Sequence, residues 1–463
     1  MFDLSQMGIL VGVLLLMVLS GVHIAVSLGV ASLVGIYLVT GEIDPVISFA
    51  SNTAYEAIRD YVFAVIPLFM LMGEFMAKCG AARDLFELTN RLLRWLPGRL
   101  AVATVVSNAL FAFVTGVSIA AAAAFSKIAY PEMKRFHYSR QFSLGCISGS
   151  ACLGMLIPPS VLMIVWGVIT ETAIGKLFIA GILPGMMIVL IFIAYIVLVA
   201  IFSPKTVGEG YAKAEGGQSP DSSMAEGEAL RVEEESQTPL VPLILSALSV
   251  FLLIALVLGG IWLGFFTPTE GAGVGAALSL FLALAKGMRW PEMLQAILSV
   301  GRTSAPLLLL LVTAQLYARV LSTTGVTGAV QEMFNASGLS AYEILALMIL
   351  VWFVLGCLID SISIILLTVP VFAPIAMGLG FDPLAFAIIG IIAIETGLLT
   401  PPFGILVFTV KAALPDEKGL YAGEIFRGAF PYWLLLLASI VLLVAFPEIA
   451  TWLPNLGTEI TKE

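Results

Sequence analysis

The chain has 463 residues, of which 60% are hydrophobic and only 11% are charged, and its mean hydropathy is +1.06. A water-soluble globule cannot hide that much apolar surface, so soluble enzymes, nucleic-acid modules and disordered proteins are excluded and a polytopic membrane protein remains. The net charge of −9 is concentrated in one stretch, 205–237, where eight acids stand against three bases, and no basic stripe exists to hold nucleic acid.

In chain order, the first apolar run has no basic segment before it and reads as a membrane helix rather than a cleaved signal. A crossing takes roughly 20 apolar residues. The candidate spans of the first half are 5–21, 25–41, 61–78, 141–170 and 174–202. Between the third and fourth, 79–98 carries Arg83, Asp84, Glu87, Arg91, Arg94 and Trp95 around an apolar stripe, the pattern of an amphipathic helix lying along the inner surface. The stretch 205–238, acidic and rich in Gly and Ser, reads as a disordered cytoplasmic linker. The spans of the second half are 241–263, 267–286, 303–322, 383–412 and 422–447.

Two further apolar stretches, 99–130 and 341–376, contain Gly and polar residues at mid-segment. Lys and Arg collect on the cytoplasmic side of a membrane protein, and this decides how the two run. Basic clusters flank the first: Lys78, Arg83, Arg91, Arg94 and Arg99 before it, Lys127, Lys134, Arg135 and Arg140 around its end. A single crossing would put one cluster outside, whereas a re-entrant hairpin keeps both inside. The same choice for 341–376 leaves 18 of the 22 basic residues inside, with only Arg59, Lys176, Arg319 and Lys462 outside. The expected fold is therefore an all-α polytopic membrane protein of about ten transmembrane helices and two re-entrant helical hairpins, with both termini on the outer side.

The two halves repeat a pattern. Pro67 precedes Gly116 by 49 residues and Pro306 precedes Gly356 by 50; Pro131 precedes Pro158-Pro159 by 27, and Pro374 precedes Pro401-Pro402 by 27. Gly154-Met-Leu-Ile-Pro-Pro answers Gly397-Leu-Leu-Thr-Pro-Pro, and Gly175-Lys-Leu-Phe before Pro184 answers Gly423-Glu-Ile-Phe before Pro431. Four matches in one order point to a duplication. Each half holds five spans, so the second copy lies upside down relative to the first, the inverted-repeat plan of secondary transporters. The expected division is a first repeat at 1–204 with hairpin 99–130, the linker at 205–238, and a second repeat at 239–463 with hairpin 341–376.

Irregular backbone at membrane depth survives only where it lines a cavity or is packed in protein. Four such places occur: Gly116-Val117-Ser118 at the first hairpin turn, Gly356 to Ser363 at the second, and the span breaks Ser148 to Ser160 and Glu395 to Pro402. A double proline removes two backbone donors and drives the preceding residue out of the helical region, freeing carbonyls. Freed carbonyls with Ser or Thr hydroxyls suit a desolvated Na⁺, and half-helix N-termini suit a substrate carboxylate. Asp360 reads either as the cap of the hairpin's second arm or as an ion ligand. Glu395 reads either as a structural acid bonded to neighbouring backbone or as a coupling group. The hydroxyls Ser118, Ser150, Ser361 and Ser363 read equally as packing residues bonded to their own helices.

The remaining chemistry-bearing residues are plainer. Cys79, Cys146, Cys152 and Cys357 lack metal or disulfide spacing, and His23 and His137 stand alone. Glu270 and Glu171 fall at outer span ends, and Gly271, Gly273 and Gly275 suit a close helix contact rather than a phosphate loop. No placed nucleophile–base pair or metal motif of an enzyme is present.

At these residues the chain resembles the large membrane subunit of tripartite ATP-independent periplasmic (TRAP) transporters over nearly its whole length, the acidic linker excepted. The carrying stretches are Ile128-Ala-Tyr-Pro-Glu-Met-Lys-Arg135, Gly154-Met-Leu-Ile-Pro-Pro-Ser160, Leu177-Phe-Ile-Ala-Gly-Ile-Leu-Pro-Gly185, Phe266-Thr-Pro-Thr-Glu270 and Glu395-Thr-Gly-Leu-Leu-Thr-Pro-Pro402. The resemblance implies an elevator-type symporter in a bacterial or archaeal cytoplasmic (inner) membrane. It also implies a small four-helix membrane subunit, a periplasmic substrate-binding protein, a small organic acid as substrate and Na⁺ as coupling ion. Carried over by match, the ion sites fall on Gly116, Ser118, Gly154 and Pro158 in the first half, and on Gly356, Asp360, Ser361, Ser363, Thr396, Gly397 and Pro401 in the second. Substrate contacts fall on Ser118, Ser150, Ser160, Ser361 and Thr400. The first hairpin departs from the family's commonest pattern, Gly-Ser-Ser followed soon by Ala-Asp, because Val117 replaces a Ser and Ala121 the Asp. A stand-alone carboxylate symporter or proton-coupled carrier fits the inverted repeat equally.

Overall fold

A computed structural model describes residues 4–208, 239–336 and 338–460. The described residues are helical almost throughout, with an isolated bridge between Tyr138 and Val207 as their β-type pairing. This follows from the solvent: in hydrocarbon every backbone donor needs a partner from its own segment, and the α-helix supplies it. Eight helices among the described residues are long and apolar enough to cross a membrane. Seven of them coincide with expected spans.

The eighth is Ser361–Gly378, the return arm of the second expected hairpin. Conversely, the runs expected at 5–21 and 25–41 form helices α1 (Leu4–Leu19) and α2 (Ile24–Thr40), of 16 and 17 residues.

In the first half, α3 (Ile43–Arg59) and a short 3₁₀ turn lead to α4 (Val65–Lys78) and α5 (Ala81–Leu92). The stretch 99–130 becomes α6 (Arg99–Thr115) and α7 (Ser118–Arg135), which pack together and meet at Gly116-Val117. Gly116 takes φ +59, a left-handed conformation that glycine adopts without steric cost. The next span is broken into α8 (Arg140–Ala151), the single turn α9 (Leu153–Leu156) and α10 (Val161–Thr170), and α11 (Ile174–Phe202) closes the half.

After the undescribed residues come α12 (Leu240–Trp262), α13 (Pro268–Ala285) and α14 (Trp290–Thr324), then α15 (Val326–Ala336). The second interrupted stretch forms α16 (Ala341–Gly356) and α17 (Ser361–Gly378). The next span is broken into α18 (Pro383–Gly397) and α19 (Ile405–Ala413), followed by α20 (Ala422–Ala445) and α21 (Glu448–Ile460).

Three expectations need correction. The span expected at 303–322 is part of a 35-residue helix, so most of the basic loop at 286–302 is helical. Its start is fixed by Glu292, whose carboxylate accepts the Arg289 backbone N–H at 2.8 Å, and by Pro291 in the first turn. At 1.5 Å per residue such a helix runs about 50 Å, well beyond a hydrocarbon core of roughly 30 Å. The expected linker also begins too early: Pro204–Thr206 form a 3₁₀ turn and Val207 pairs with Tyr138, while 209–238 lie outside the described residues. Within the expected glycine contact, a side chain on Gly271 would strike Ile261 and one on Gly275 would strike Met72, but Gly273 faces open space.

The packing is reciprocal between the halves. Helix α10 packs on α17, the return arm of the other half's hairpin, and α19 packs on α7. Likewise α13 packs on α4 and α14 on α2. At the centre, Trp166, Trp352 and Phe386 form an aromatic cluster with centroids 5.6–6.1 Å apart, closed over Gly390, where any side chain would strike both tryptophans. The Trp352 indole N–H is satisfied by Thr368 Oγ1 at 2.8 Å. This cluster ties α10, α16 and α18 into one body beneath the hairpin turns.

Candidate functional site

Glu395 sits in the last turn of α18 and is fully buried. One carboxylate oxygen accepts a hydrogen bond from Ser118 Oγ at 2.6 Å and the other accepts one from Ser361 Oγ at 2.9 Å. Ser118 opens α7 and Ser361 opens α17, so one carboxylate faces the N-termini of both hairpin return arms. Helix N-termini carry unsatisfied N–H groups and a positive partial charge, which favour an anion there. Of the two readings of Glu395, the bond to neighbouring backbone is not the one seen for its side chain: its partners are hydroxyls 277 and 34 residues away.

A spacing of 243 residues relates Pro131 to Pro374 and Pro158 to Pro401, and it also relates Ser118 to Ser361 and Cys152 to Glu395. These positions meet in space. Ser118 Oγ lies 3.5 Å from the Cys152 carbonyl, and Cys152 Sγ lies 3.6 Å from the Glu395 carbonyl. The matched serines thus share a single acid, which has a thiol as its own counterpart.

Glycines let the hairpin turns dock against the span breaks. A Cβ on Gly154 would lie 2.8 Å from Ser118 Cα, and one on Gly116 2.5 Å from the Pro159 carbonyl oxygen. In the second half a Cβ on Gly356 would lie 2.6 Å from Gly397 Cα. The peptide bonds Pro158-Pro159 and Pro401-Pro402 are both cis. A cavity of about 150 Å³ adjoins the two turns and is lined by Ser118, Asp360 and Ser361, together with Met70 of α4 and Thr303 and Leu307 of α14.

The structure therefore docks Gly116 on Pro159, the residue after Pro158, Gly154 on Ser118, and Gly356 on Gly397, while Glu395 joins Ser118 to Ser361. Asp360 is the cap of α17: its carboxylate accepts the Ser363 backbone N–H at 3.0 Å and the Ser363 hydroxyl at 2.5 Å. Other hydroxyls bond their own turns and stay away from the cavity. Ser150 donates to the Cys146 carbonyl, Ser160 to that of Met155, Thr396 to that of Ile392 and Thr400 to that of Thr396. Thr400 also accepts the Trp433 indole N–H at 3.0 Å, and Pro401 is exposed beside it. Asn108 was not among the expected residues: buried in α6, it donates to Ser150 Oγ at 2.7 Å and leaves its own oxygen without a partner. A lone amide in the apolar stretch 99–115 is the signal that marks it.

Residues 11–449 match the family described as the tripartite ATP-independent periplasmic transporter, DctM component. The C4-dicarboxylate TRAP transporter large permease protein DctM of Pseudomonas aeruginosa is 34% identical over 409 residues, covering 87% of this chain and 88% of that protein. The ectoine TRAP transporter large permease protein TeaC of Halomonas elongata is 29% identical, covering 97% of this chain and 99% of that protein. Among solved structures, the Alcanivorax borkumensis YdaH transporter aligns with a TM-score of 0.58 at 14% identity, covering 88% of this chain and 89% of that one, a likeness of fold. With a family match that takes in both hairpins and the buried acid between them, the chain belongs to the DctM component of the tripartite ATP-independent periplasmic transporters: a multi-pass membrane permease for secondary transport, not an enzyme.

Proposed function

We propose that the chain imports a small organic acid across the bacterial or archaeal inner membrane, driven by an inward Na⁺ gradient. The observation that carries this reading is Glu395. It is a fully buried carboxylate whose side-chain partners are two neutral hydroxyls. A buried charge without an opposite charge is costly, so this position calls for a cation that travels with the substrate. The carbonyls and hydroxyls of the two docked turns supply the oxygen donors that Na⁺ prefers, and Na⁺ enters here as cargo.

The substrate's place is the cavity at the hairpin turns, where Ser118 and Ser361 present the starts of α7 and α17 to a carboxylate. The movement is an elevator step: the body holding both hairpins slides against the wall formed by α4 and α14. The reciprocal packing of α10 on α17 and α19 on α7 supports an inverted duplication as the basis of that exchange. A small four-helix membrane subunit braces the wall, and a periplasmic binding protein delivers the substrate to the outer side, where both termini lie. The C4-dicarboxylate relative supports the substrate class.

A second reading rests on the same residue: Glu395 carries a proton rather than facing Na⁺. Uptake of radiolabelled organic acids into proteoliposomes tests both. The chain is reconstituted with and without its small subunit and binding protein, under an inward Na⁺ gradient or an inward pH gradient. Uptake that needs all three components and stops when the Na⁺ gradient collapses is the expected result. Uptake by the chain alone, or driven by pH without Na⁺, overturns it in favour of a stand-alone or proton-coupled carrier.

A further inference from the structure

A second and larger cavity, about 750 Å³, lies away from Glu395, where the 3₁₀ turn before α4, the turn between α10 and α11 and the turn between α12 and α13 meet. Its walls are apolar, with Val62, Val65, Ile179, Ile261 and Phe266 among the lining residues. Its volume is that of a small-molecule site. Besides Asp60, two charged side chains of opposite sign line it, Glu171 at the end of α10 and Lys176 in the first turn of α11, and among the described residues neither of these two makes a side-chain hydrogen bond or ion pair.

Three of the other polar side chains of the cavity are engaged. Asp60 accepts the Val62 N–H at 3.0 Å, and Thr172 accepts from Thr170 Oγ1 at 2.9 Å. The Thr267 hydroxyl is hydrogen-bonded to Glu270. The surroundings of the cavity are those of the boundary between lipid tails and headgroups. It lies at the ends of apolar helices, and it is lined by the half-exposed aromatics Tyr61 and Trp262, the residue types that mark that boundary.

We propose that this cavity holds one zwitterionic phospholipid of the phosphoethanolamine class. Lys176 pairs with the phosphate, Glu171 accepts from the primary ammonium, and the apolar walls take the first part of one acyl chain. A phosphocholine head satisfies Lys176 but has no N–H to give Glu171, and a phosphoglycerol head brings no cation for it. The cavity thus discriminates by headgroup, and a lipid seated in it bridges α11 to α4 and α12.

Native mass spectrometry of the purified full chain tests this, with 1-palmitoyl-2-oleoyl phosphatidylethanolamine, phosphatidylcholine and phosphatidylglycerol titrated in equal amounts. One phosphatidylethanolamine is expected to be retained on the order of 10-fold more strongly than either of the others, the factor that one charge-assisted hydrogen bond supplies. Glu171→Gln is expected to erase that preference, and Lys176→Gln to weaken all three lipids alike. Ile179→Trp, which fills the cavity, should abolish retention of the tightly held lipid. Ile179→Met, of similar volume, should keep it, so that a folding defect in the tryptophan variant is recognised. Free phosphoethanolamine added as competitor separates the sources: displacement of the lipid by the soluble head alone at millimolar concentration overturns the lipid assignment. Equal retention of the three lipids, or a preference unchanged in Glu171→Gln, overturns the proposal outright.

Discussion

The two span breaks carry the same device and sit in opposite surroundings. In the first half every residue from Cys152 to Ser160 is buried, as are Gly116 and Ser118 of the hairpin turn docked on it. In the second half Pro401, Pro402 and Phe403 are exposed, and so are Leu358 and Asp360 of the matching turn. The local chemistry of a Pro-Pro break is equal in the two, so burial is decided by what each half finds around it. One closed half and one open half, built on one pattern, is what the proposed elevator step asks for, since exchanging the two conformations would close the open half and open the closed one.

The largest effect should come from the residue that joins the halves. On the proposed cation coupling, Glu395→Gln keeps the volume and removes the ionisable carboxyl, and uptake in proteoliposomes is expected to fall by about 100-fold or more. Uptake within a few-fold of the parent chain would break the link between this acid and coupling. The contrast in burial is tested next by labelling. In a background with Cys79 and Cys357 replaced by Ser, Phe403→Cys should react with a hydrophilic maleimide about 100-fold faster than Ser160→Cys, the factor that a few kcal/mol of local opening imposes. Addition of Na⁺ and substrate should narrow the difference; equal rates in the resting protein would refute the asymmetry itself.

Smaller effects sharpen the comparison. Gly154→Ala and Gly397→Ala place a methyl against the facing hairpin turn in the two halves, and each is expected to cost about 1–3 kcal/mol of stability by thermal unfolding. The closed half, with no free side to give, should lose more at Gly154. The smallest effect lies where the halves are strapped together away from the site. Lys134 pairs with Glu417 at 2.8 Å, and Arg140 pairs with Glu424 at 2.5 Å and donates to the carbonyls of Lys418 and Gly419. The Lys134 hydrogen bond holds the Glu417 carboxyl below its usual range. A carboxyl lowered by folding stabilises the fold above the ordinary value of about 4.3 and loses that contribution as pH falls through the folded value. Glu417→Gln should therefore cost no more than about 1 kcal/mol at pH 7, and the difference from the parent should shrink as pH falls below about 4.

The sequence made the scaffold legible because a bilayer leaves few choices. Apolar length, the sidedness of Lys and Arg, and the Pro-Pro pairs all report on one solvent, and they located the turn at Gly116, the turn near Asp360 and both broken spans. The site was legible as regions rather than as bonds. Glu395 stood out as an ionisable residue at a break, but its partner Ser118 is 277 residues away and is set by packing between the halves. Ser150, Ser160 and Thr400, which the resemblance gave as substrate contacts, each bond their own turn, the reading that the sequence leaves open for Ser150 and the cheaper solution for a short side chain on a helix. The length of α14 was missed because hydropathy sees the apolar centre at 303–322 and not the polar turns that continue the helix to Trp290.

Cys152 and Glu395 occupy matched places in the two halves and touch each other. In a dimer of identical chains, whatever stood at that place would stand there twice: two acids in van der Waals reach would repel, and two thiols would offer no charge. Joining both copies in one polypeptide removes that constraint. Each half can hold a different residue at the point where the halves meet, and a single carboxyl can answer to both serines at once. Fusion thus does more than guarantee a partner: it allows an asymmetric centre inside a nearly symmetric frame.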